Sequence, residues 1–275
     1  MHELESALLR VRSEAKQRLF PRNPKYRYWA PVLEHFGLFL GNENRGKIME
    51  ADYLVLRLLD DYADHDTPIP EGYTSPSEFI QEKINYLHTL DTPDDDVERL
   101  LLYSEQLSYK EDLSLNYERE LIMRSMLFDA QRFGRFQLFP TSVLNEHFYQ
   151  CDIEGTGKGA LKIFGEDPRK YKLVEPLGIA SRIHDNLSDY QKDIDAGYIN
   201  VSQEDVNQFQ MTPEDIKDVN SDKVRAWFAK EKRRAWDLLE QDRQLFPQGR
   251  FGKRGRVFVD LYFRRPAVRY LNSLK

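Results

Sequence analysis

Two short stretches of the chain concentrate the residue types that do phosphate and metal chemistry. The first runs from Tyr53 to Asp64, where Tyr53, Arg57, Asp60 and Asp64 fall in one narrow stripe of a helix that turns about 100° per residue. Leu54, Leu58 and Leu59 occupy other angles and are available to pack. The second runs from Arg182 to Asp193, where Asp185, Asp189 and Asp193 follow one another at single-turn spacing with Lys192 beside them. Carboxylates one turn apart repel each other, and burying them without counter-charge is costly. A divalent cation held by the acids, and a phosphate held by Arg57 or Lys192, would remove that cost. An oxygen-only ligand set favours Mg²⁺ or Mn²⁺ over zinc. A plainer reading competes, because a chain with 46 acidic residues forms such pairs on wetted helix faces by chance. Two acidic stripes, each within apolar helical sequence and each with a basic neighbour, favour a metal–diphosphate site.

Such a site needs two helices brought face to face. Carboxylates on both would clamp a diphosphate through bridging metal, and the allylic cation it leaves would be released among aromatic rings. The 15 Tyr and 16 Phe supply walls for it, although most are expected to be ordinary core. The elements that position these residues are legible from their starts. Ser75-Pro76-Ser77-Glu78, Thr92-Pro93-Asp94-Asp95 and Thr212-Pro213-Glu214-Asp215 each place a hydroxyl at the N-cap, proline after it and an acid in the first turn. Asp167-Pro168 reads as a fourth start. Apolar periodicity predicts helices near 3–19, 32–40, 45–64, 76–90, 93–107, 112–133, 141–164, 168–196, 221–245 and 256–273. Mostly short loops predict antiparallel neighbours in a bundle, with Pro68–Thr74 and Ile199–Gln210 as the longest surface connections. No repeat or low-complexity linker interrupts the sequence, so one all-α domain over residues 1–275 is the expectation.

Composition narrows the function classes. At 275 residues and 40% hydrophobic content the chain can bury a sizeable core. A formal charge of −6 argues against nucleic acid as a partner. The single cysteine, Cys151, excludes a disulfide framework and every multi-cysteine zinc site, and the six histidines form no HExxH or HxxxH pair. Gly155-Thr156-Gly157-Lys158-Gly159 lacks the spacing and the preceding strand of a phosphate-binding loop. The opening residues do not resemble a signal peptide, and no apolar run reaches the ~18–20 residues that span a bilayer, so a cytoplasmic protein is expected. From Arg250 to Lys275 eight basic residues face one acid, Asp260, a balance that suits a segment reaching over the active site, peripheral contact with an anionic membrane surface, or the offsetting of nearby acids.

The two motifs resemble those of the squalene/phytoene synthase family, class I isoprenoid enzymes with an all-α fold. Tyr53, Arg57, Asp60 and Asp64 are similar to its first aspartate-rich motif, and Asp189 and Asp193, followed by Gly197, to its second. Asp129 resembles the aspartate of the family's central helix. Tyr149, Ile153 and Gly155 resemble the segment that lines its substrate channel, and Arg45 falls near its basic loop. The resemblance runs in register from about residue 35 to about residue 205. It implies a single-domain helical bundle with a central active-site cavity and a Mg²⁺- or Mn²⁺-dependent, head-to-head condensation of two prenyl diphosphates. In that reading Asp60, Asp64, Asp185, Asp189 and Asp193 hold metal, while Arg57, Lys192, Arg45 and Arg269 bind diphosphate. Tyr53, Tyr149, Ile153, Gly155 and Asp129 line the channel. Catalysis rests on Asp60, Asp64, Asp189, Asp193, Arg57 and Tyr53. NADPH is not indicated by the sequence, and neither oligomeric state nor substrate chain length is fixed by it.

Departures from the family pattern keep two alternatives open. Arg182, Asp185 and Ser188 stand where the family usually has Gln, Asn and Arg, Lys192 stands in place of an acid, and Glu154 replaces a small apolar residue. Asp60-Asp61-Tyr62-Ala63-Asp64 also satisfies the DDxxD motif of class I terpene cyclases, which ionise a single prenyl diphosphate. Arg269-Tyr270 is similar to the Arg-Tyr pair that bacterial cyclases set against diphosphate. A non-catalytic scaffold is the third reading, and it is disfavoured because both acid pairs are intact.

Overall fold

A computed structural model describes residues 2–22 and 35–273, and among these every regular element is a helix. The chain forms two compact units, one of Met1–Leu127 with Lys162–Gly165 and the other of Phe128–Leu161 with Glu166–Lys275. None of the described helices is long and apolar enough to cross a membrane.

The first unit contains α1 (His2–Arg22), α2 (Phe36–Leu40), α3 (Glu43–Ala63), α4 (Pro76–Thr89), α5 (Asp96–Lys110) and most of α6 (Asn116–Arg132). Its centre is the contact of α3 with α5. Leu54, Val55, Leu58 and Leu59 of α3 are buried there, which leaves the Tyr53–Asp64 stripe on the half-exposed side of the helix. Arg119 of α6 is buried and donates to Asp52 of α3 at 2.9 Å and to Glu105 and Ser104 of α5 at 2.6 and 2.7 Å. This network cross-links three helices by charge.

Several boundaries differ from the sequence reading. The helix expected near 32–40 begins at Phe36, residues 32–34 lying outside the described residues. Ser75 caps α4 as expected, accepting the Glu78 N–H. The cap of α5 is Asp95 rather than Thr92. Asp95 accepts the Glu98 N–H at 2.9 Å while Glu98 accepts the Asp94 N–H at 2.8 Å. Glu98 is drawn inward by the fully buried Lys83, whose ammonium lies 2.6 Å from it, and that contact fixes where the helix starts.

The second unit holds α7 (Thr141–Phe148), a π-helical stretch (Tyr149–Gly157), α8 (Lys158–Ile163, its last two residues in the first unit), α9 (Tyr171–Ser188) and α10 (Tyr190–Asp195). After these come α11 (Gln203–Gln208), α12 (Pro213–Lys217), α13 (Asp222–Leu245), α14 (Lys253–Val259), a second π stretch (Asp260–Arg264) and α15 (Arg265–Ser273). Its core lies between α9 and α13, built on Leu177, Ala180, Ile183, Trp227, Ala235 and Leu239.

The single helix expected over 141–164 is thus interrupted by π turns, and the Gly155–Gly159 run is helical. The helix expected over 168–196 opens with a short 3-10 turn and breaks at Asp189 (φ −100°, ψ 5°). Ser188 Oγ donates to the Asp185 carbonyl at 3.0 Å there, competing with the helical ladder. Short helices α11 and α12 occupy ground partly read as loop, because Val201, Val206 and Ile216 are buried and Thr212 forms its full capping box with Asp215.

Candidate active site

On α3 the acidic stripe forms as expected, with one addition. Arg57 bridges Asp60 at 2.6 Å and Asp61 at 2.5 Å. The Asp61 side chain is 3% exposed and Asp60 33%, so one carboxylate is a buried counter-ion and the other faces outward. The sequence reading used Asp61 only as the second acid of the DDxxD match, although its i, i+4 spacing from Arg57 is a readable signal of this pair. Asp64 caps the helix one turn past Asp60, with its N–H on the Asp60 carbonyl at 2.9 Å. Tyr53, Asp60 and Asp64 are all half-buried. Arg45 has structural partners within the first unit. It donates to Glu111 at 3.2 Å and to the carbonyls of Ile163 and Lys162 at 3.1 and 3.5 Å.

The second motif survives the helix break, because the Asp189 N–H bonds the Asp185 carbonyl and the Asp193 N–H bonds that of Asp189, both at 2.9 Å. Asp193 accepts a hydrogen bond from Asn200 at 2.8 Å. Burial, and then the Asp189 carboxylate, push the Asp193 carboxyl up to about 7. Asn200 in turn accepts from Arg132 at 2.8 Å, and Arg132 donates to Asp129 at 2.8 Å. His147 stands 3.3 Å from the same Asp129 oxygen. Burial would raise the Asp129 carboxyl, but the His147 and Arg132 charges and hydrogen bonds outweigh it and hold the group near 2. Asp129, expected in the channel wall, is therefore the anchor of an ion-pair chain that reaches Asp193. Arg132 was detectable at i, i+3 from Asp129. Asn200 was not, since it approaches Asp193 only through the turn at Gly197.

Asp185 is half-exposed, its oxygen 2.9 Å from His184 Nδ1, a close pair but not aligned as a hydrogen bond. The ring of Tyr270 meets His184 edge-on with centroids 4.3 Å apart. Burial, and then the Asp189 and Asp185 charges, raise the Tyr270 phenol above its ordinary value. Of the Arg269-Tyr270 pair it is the tyrosine that stands at the acidic motif, while Arg269 is exposed. Lys192 and Asp189 are exposed as well.

A cavity of about 200 Å³ opens in the second unit beside this motif, walled in part by Tyr149, Asp152, Ile153, Arg182, Asn186 and Trp227. Arg182 spends its charge on Asp152, both oxygens at 2.6 Å, and lies 4.9 Å over the Phe148 ring. Ile153 crosses Gly178 so closely that a Cβ there would come within 2.1 Å of its Cδ1. Behind that contact is an apolar pocket of about 30 Å³ lined by Val174, Leu177, Phe258 and Phe263. Gly155 is buried in the π stretch.

Among the described residues no three His, Cys, Asp or Glu side chains form a ready cation cage. The donor chemistry nevertheless fits Mg²⁺, which takes one or two carboxylates and completes its shell with water and substrate phosphate. Asp193, held near 7 by burial and its neighbour, is a carboxyl that a cation would ionise.

The squalene/phytoene synthase family profile matches residues 37–275. No curated protein sequence shows a significant match. Among solved structures, squalene synthase HpnC from Alicyclobacillus acidocaldarius is similar to 100% of this chain and 95% of its own, with a TM-score of 0.72 and 19% identity. A ligand-bound dehydrosqualene synthase is similar over 99% of this chain and 86% of its own, with a TM-score of 0.65 and 18% identity. The shared property at these identities is the all-α fold.

Proposed function

The chain belongs to the squalene/phytoene synthase family of prenyltransferases, and from that premise we propose that it joins two prenyl diphosphates head to head with the help of Mg²⁺ or Mn²⁺. What supports the metal dependence is the Asp189–Asp193 pair, two carboxylates one turn apart whose spacing is kept through the helix break by the N–H bonds of Asp189 and Asp193. Asp60 and Asp64 form a comparable pair on α3, with Arg57 orienting Asp60. Asp60 and Asp64 of the first unit, and Asp185, Asp189 and Asp193 of the second, are the carboxylates that would hold metal. Bound there, it supplies charge neutralisation of the departing diphosphate.

The protein's own residues do the rest. Arg57 and Lys192 offer positive charge to the phosphate oxygens, and the Arg132–Asn200 link keeps Asp193 in register with Asp129. Tyr149 and Ile153 line a cavity in which a cation would be shielded from bulk water. Squalene synthase and dehydrosqualene synthase, the proteins whose fold this chain shares, give the proposed product class: a hydrocarbon formed from two identical prenyl units. Incubation with geranyl, farnesyl and geranylgeranyl diphosphate and Mg²⁺, read by mass, tests it. A product with twice the carbon count of one substrate is expected. Single-substrate hydrocarbons or alcohols alone would give the reaction to the cyclase reading, and no turnover of any of the three would give the chain to the scaffold reading.

A further inference from the structure

In the second unit α14, the second π stretch and α15 run without a break from Lys253 to Ser273. One face of this helix is core: Gly255, Val259, Ala267 and Leu271 are buried, at spacings of four, eight and four residues. The opposite face carries Arg254, Leu261, Arg265 and Arg269, at spacings of seven, four and four, and all four are exposed. Its charge is largely unspent. Arg265 pairs with Asp260 at 2.7 Å, yet its side chain is still 63% exposed. Arg250, Lys253, Arg254 and Arg269 are exposed and meet no acid among the described residues. The acids packed against the start of the helix do not cancel these cations. Glu166 accepts the Gly252 N–H at 2.6 Å and takes the Lys170 ammonium at 2.7 Å, and Asp167 is held by Arg169 at 2.7 Å. Lys170 also lies 5.2 Å over the ring of the buried Phe251, which fixes the junction. In the middle of this basic face stands one large apolar side chain, Leu261, 43% exposed.

We propose that this outward face, from Arg250 to Arg269, docks on an anionic lipid bilayer, its cations against headgroup phosphates and Leu261 among the upper acyl carbons. Each lysine or arginine near an anionic leaflet adds attraction, and an apolar side chain that enters the interface adds the free energy of its burial. A polyanion in water would be held by the same charges but would offer Leu261 no apolar phase. The choice of a bilayer also rests on the prenyl-coupling reading, because a hydrocarbon product has to leave the protein for an apolar phase. The apolar face of the helix is already spent on the core, so the contact is peripheral and reversible, held by charge.

Co-sedimentation of the full chain with lipid vesicles, in the absence of substrate, tests the inference. The protein should bind vesicles of equal parts phosphatidylglycerol and phosphatidylcholine, should not bind phosphatidylcholine alone, and should be released in about 1 M salt, where charges are screened beyond ~3 Å. Lys253→Gln combined with Arg254→Gln should weaken binding by about 25-fold, about five-fold for each charge removed. Leu261→Ser should weaken it by about five-fold. No binding to the mixed vesicles, or parent-like binding by the Lys253→Gln/Arg254→Gln variant, overturns the proposal. Parent-like vesicle binding by Leu261→Ser, with equal retention of both proteins on immobilised polyglutamate, shows a surface for acidic polymers in general and overturns the lipid assignment. Because no turnover is measured, the two readings fail separately: vesicle binding by a protein that forms no coupled product upholds the docking surface and refutes only the coupling reaction.

Discussion

Alanine at Gly197 and alanine at Gly134 make a matched pair of perturbations to the turn behind Asp193. Both glycines have positive φ, 83° and 69°, and they lie against each other, with the Gly134 N–H on the Ala196 carbonyl at 3.0 Å and the Phe136 N–H on the Gly197 carbonyl at 3.1 Å. The left-handed backbone costs a residue with a Cβ about 1–2 kcal/mol at either position. What the new methyl meets differs. At Gly134 nothing lies within 4 Å, whereas at Gly197 the Cβ would stand 2.5 Å from Gly134 Cα and 2.7 Å from its nitrogen. Backbone must give way there by roughly 1 Å against two hydrogen bonds, a misfit of the overpacking kind that costs a further ~1–3 kcal/mol. Gly197→Ala should therefore be the more destabilising of the two by about 1–3 kcal/mol. Urea unfolding checks it, since at an m of ~2–3 kcal/mol/M the midpoints should differ by roughly 0.3–1.5 M with m unchanged. Gly197→Ala should also weaken turnover more than its stability loss explains, because the displaced turn carries Tyr198, whose N–H caps the Asp193 carbonyl at 2.7 Å. Equal midpoints for the two variants, or a milder Gly197→Ala, would refute the reasoning.

The other predictions concern charge. Asp60→Asn and Asp189→Asn should each cut turnover by two orders of magnitude or more; Asp189→Asn should leave the unfolding midpoint unchanged or slightly raised, since repulsion is relieved, and Asp60→Asn should lower stability by no more than ~1 kcal/mol, since Arg57 keeps Asp61; undiminished activity in excess chelator would contradict the metal role. Lys83→Met should cost about 3–5 kcal/mol, because the fully buried ammonium is the counter-charge of Glu98, Asp95 and Glu82 at 2.6, 2.7 and 3.0 Å; a loss below ~1 kcal/mol by denaturation would show that those acids relax to solvent. Asp129→Asn should cost about 3 kcal/mol at neutral pH by stripping Arg132 of its partner. The Asp129 carboxyl is held down near 2, so its contribution is complete above the ordinary carboxylate range and is lost as pH falls through about 2. The gap between parent and Asp129→Asn should narrow from about pH 4 downward, and a gap independent of pH would contradict the ion-pair assignment.

What the sequence by itself determined is what short-range physics decides. Helix periodicity is local, so the Tyr53–Arg57–Asp60–Asp64 stripe and its separation from Leu54, Leu58 and Leu59 could be read directly and stand in the structure. Caps involve groups three residues apart, so Ser75 and Thr212 were legible. The Thr92 cap failed because a buried lysine on another helix drew Glu98 inward, a contact no local pattern contains. The rest of the site depends on partners distant in sequence. Arg45 is held by Glu111 and by carbonyls at 162 and 163, Asp193 is tied to Asp129 through Arg132 and Asn200, and Arg182 faces Asp152. The π turns over Tyr149–Gly157 were invisible for the same reason. A helix adopts the wider turn only where tertiary contacts, here Ile153 laid across Gly178, repay its poorer hydrogen-bond geometry. Residue types and their spacing thus fixed which groups are available for chemistry, and only the packing of one helix against another decided which are held in ion pairs, which face the cavity and in what direction.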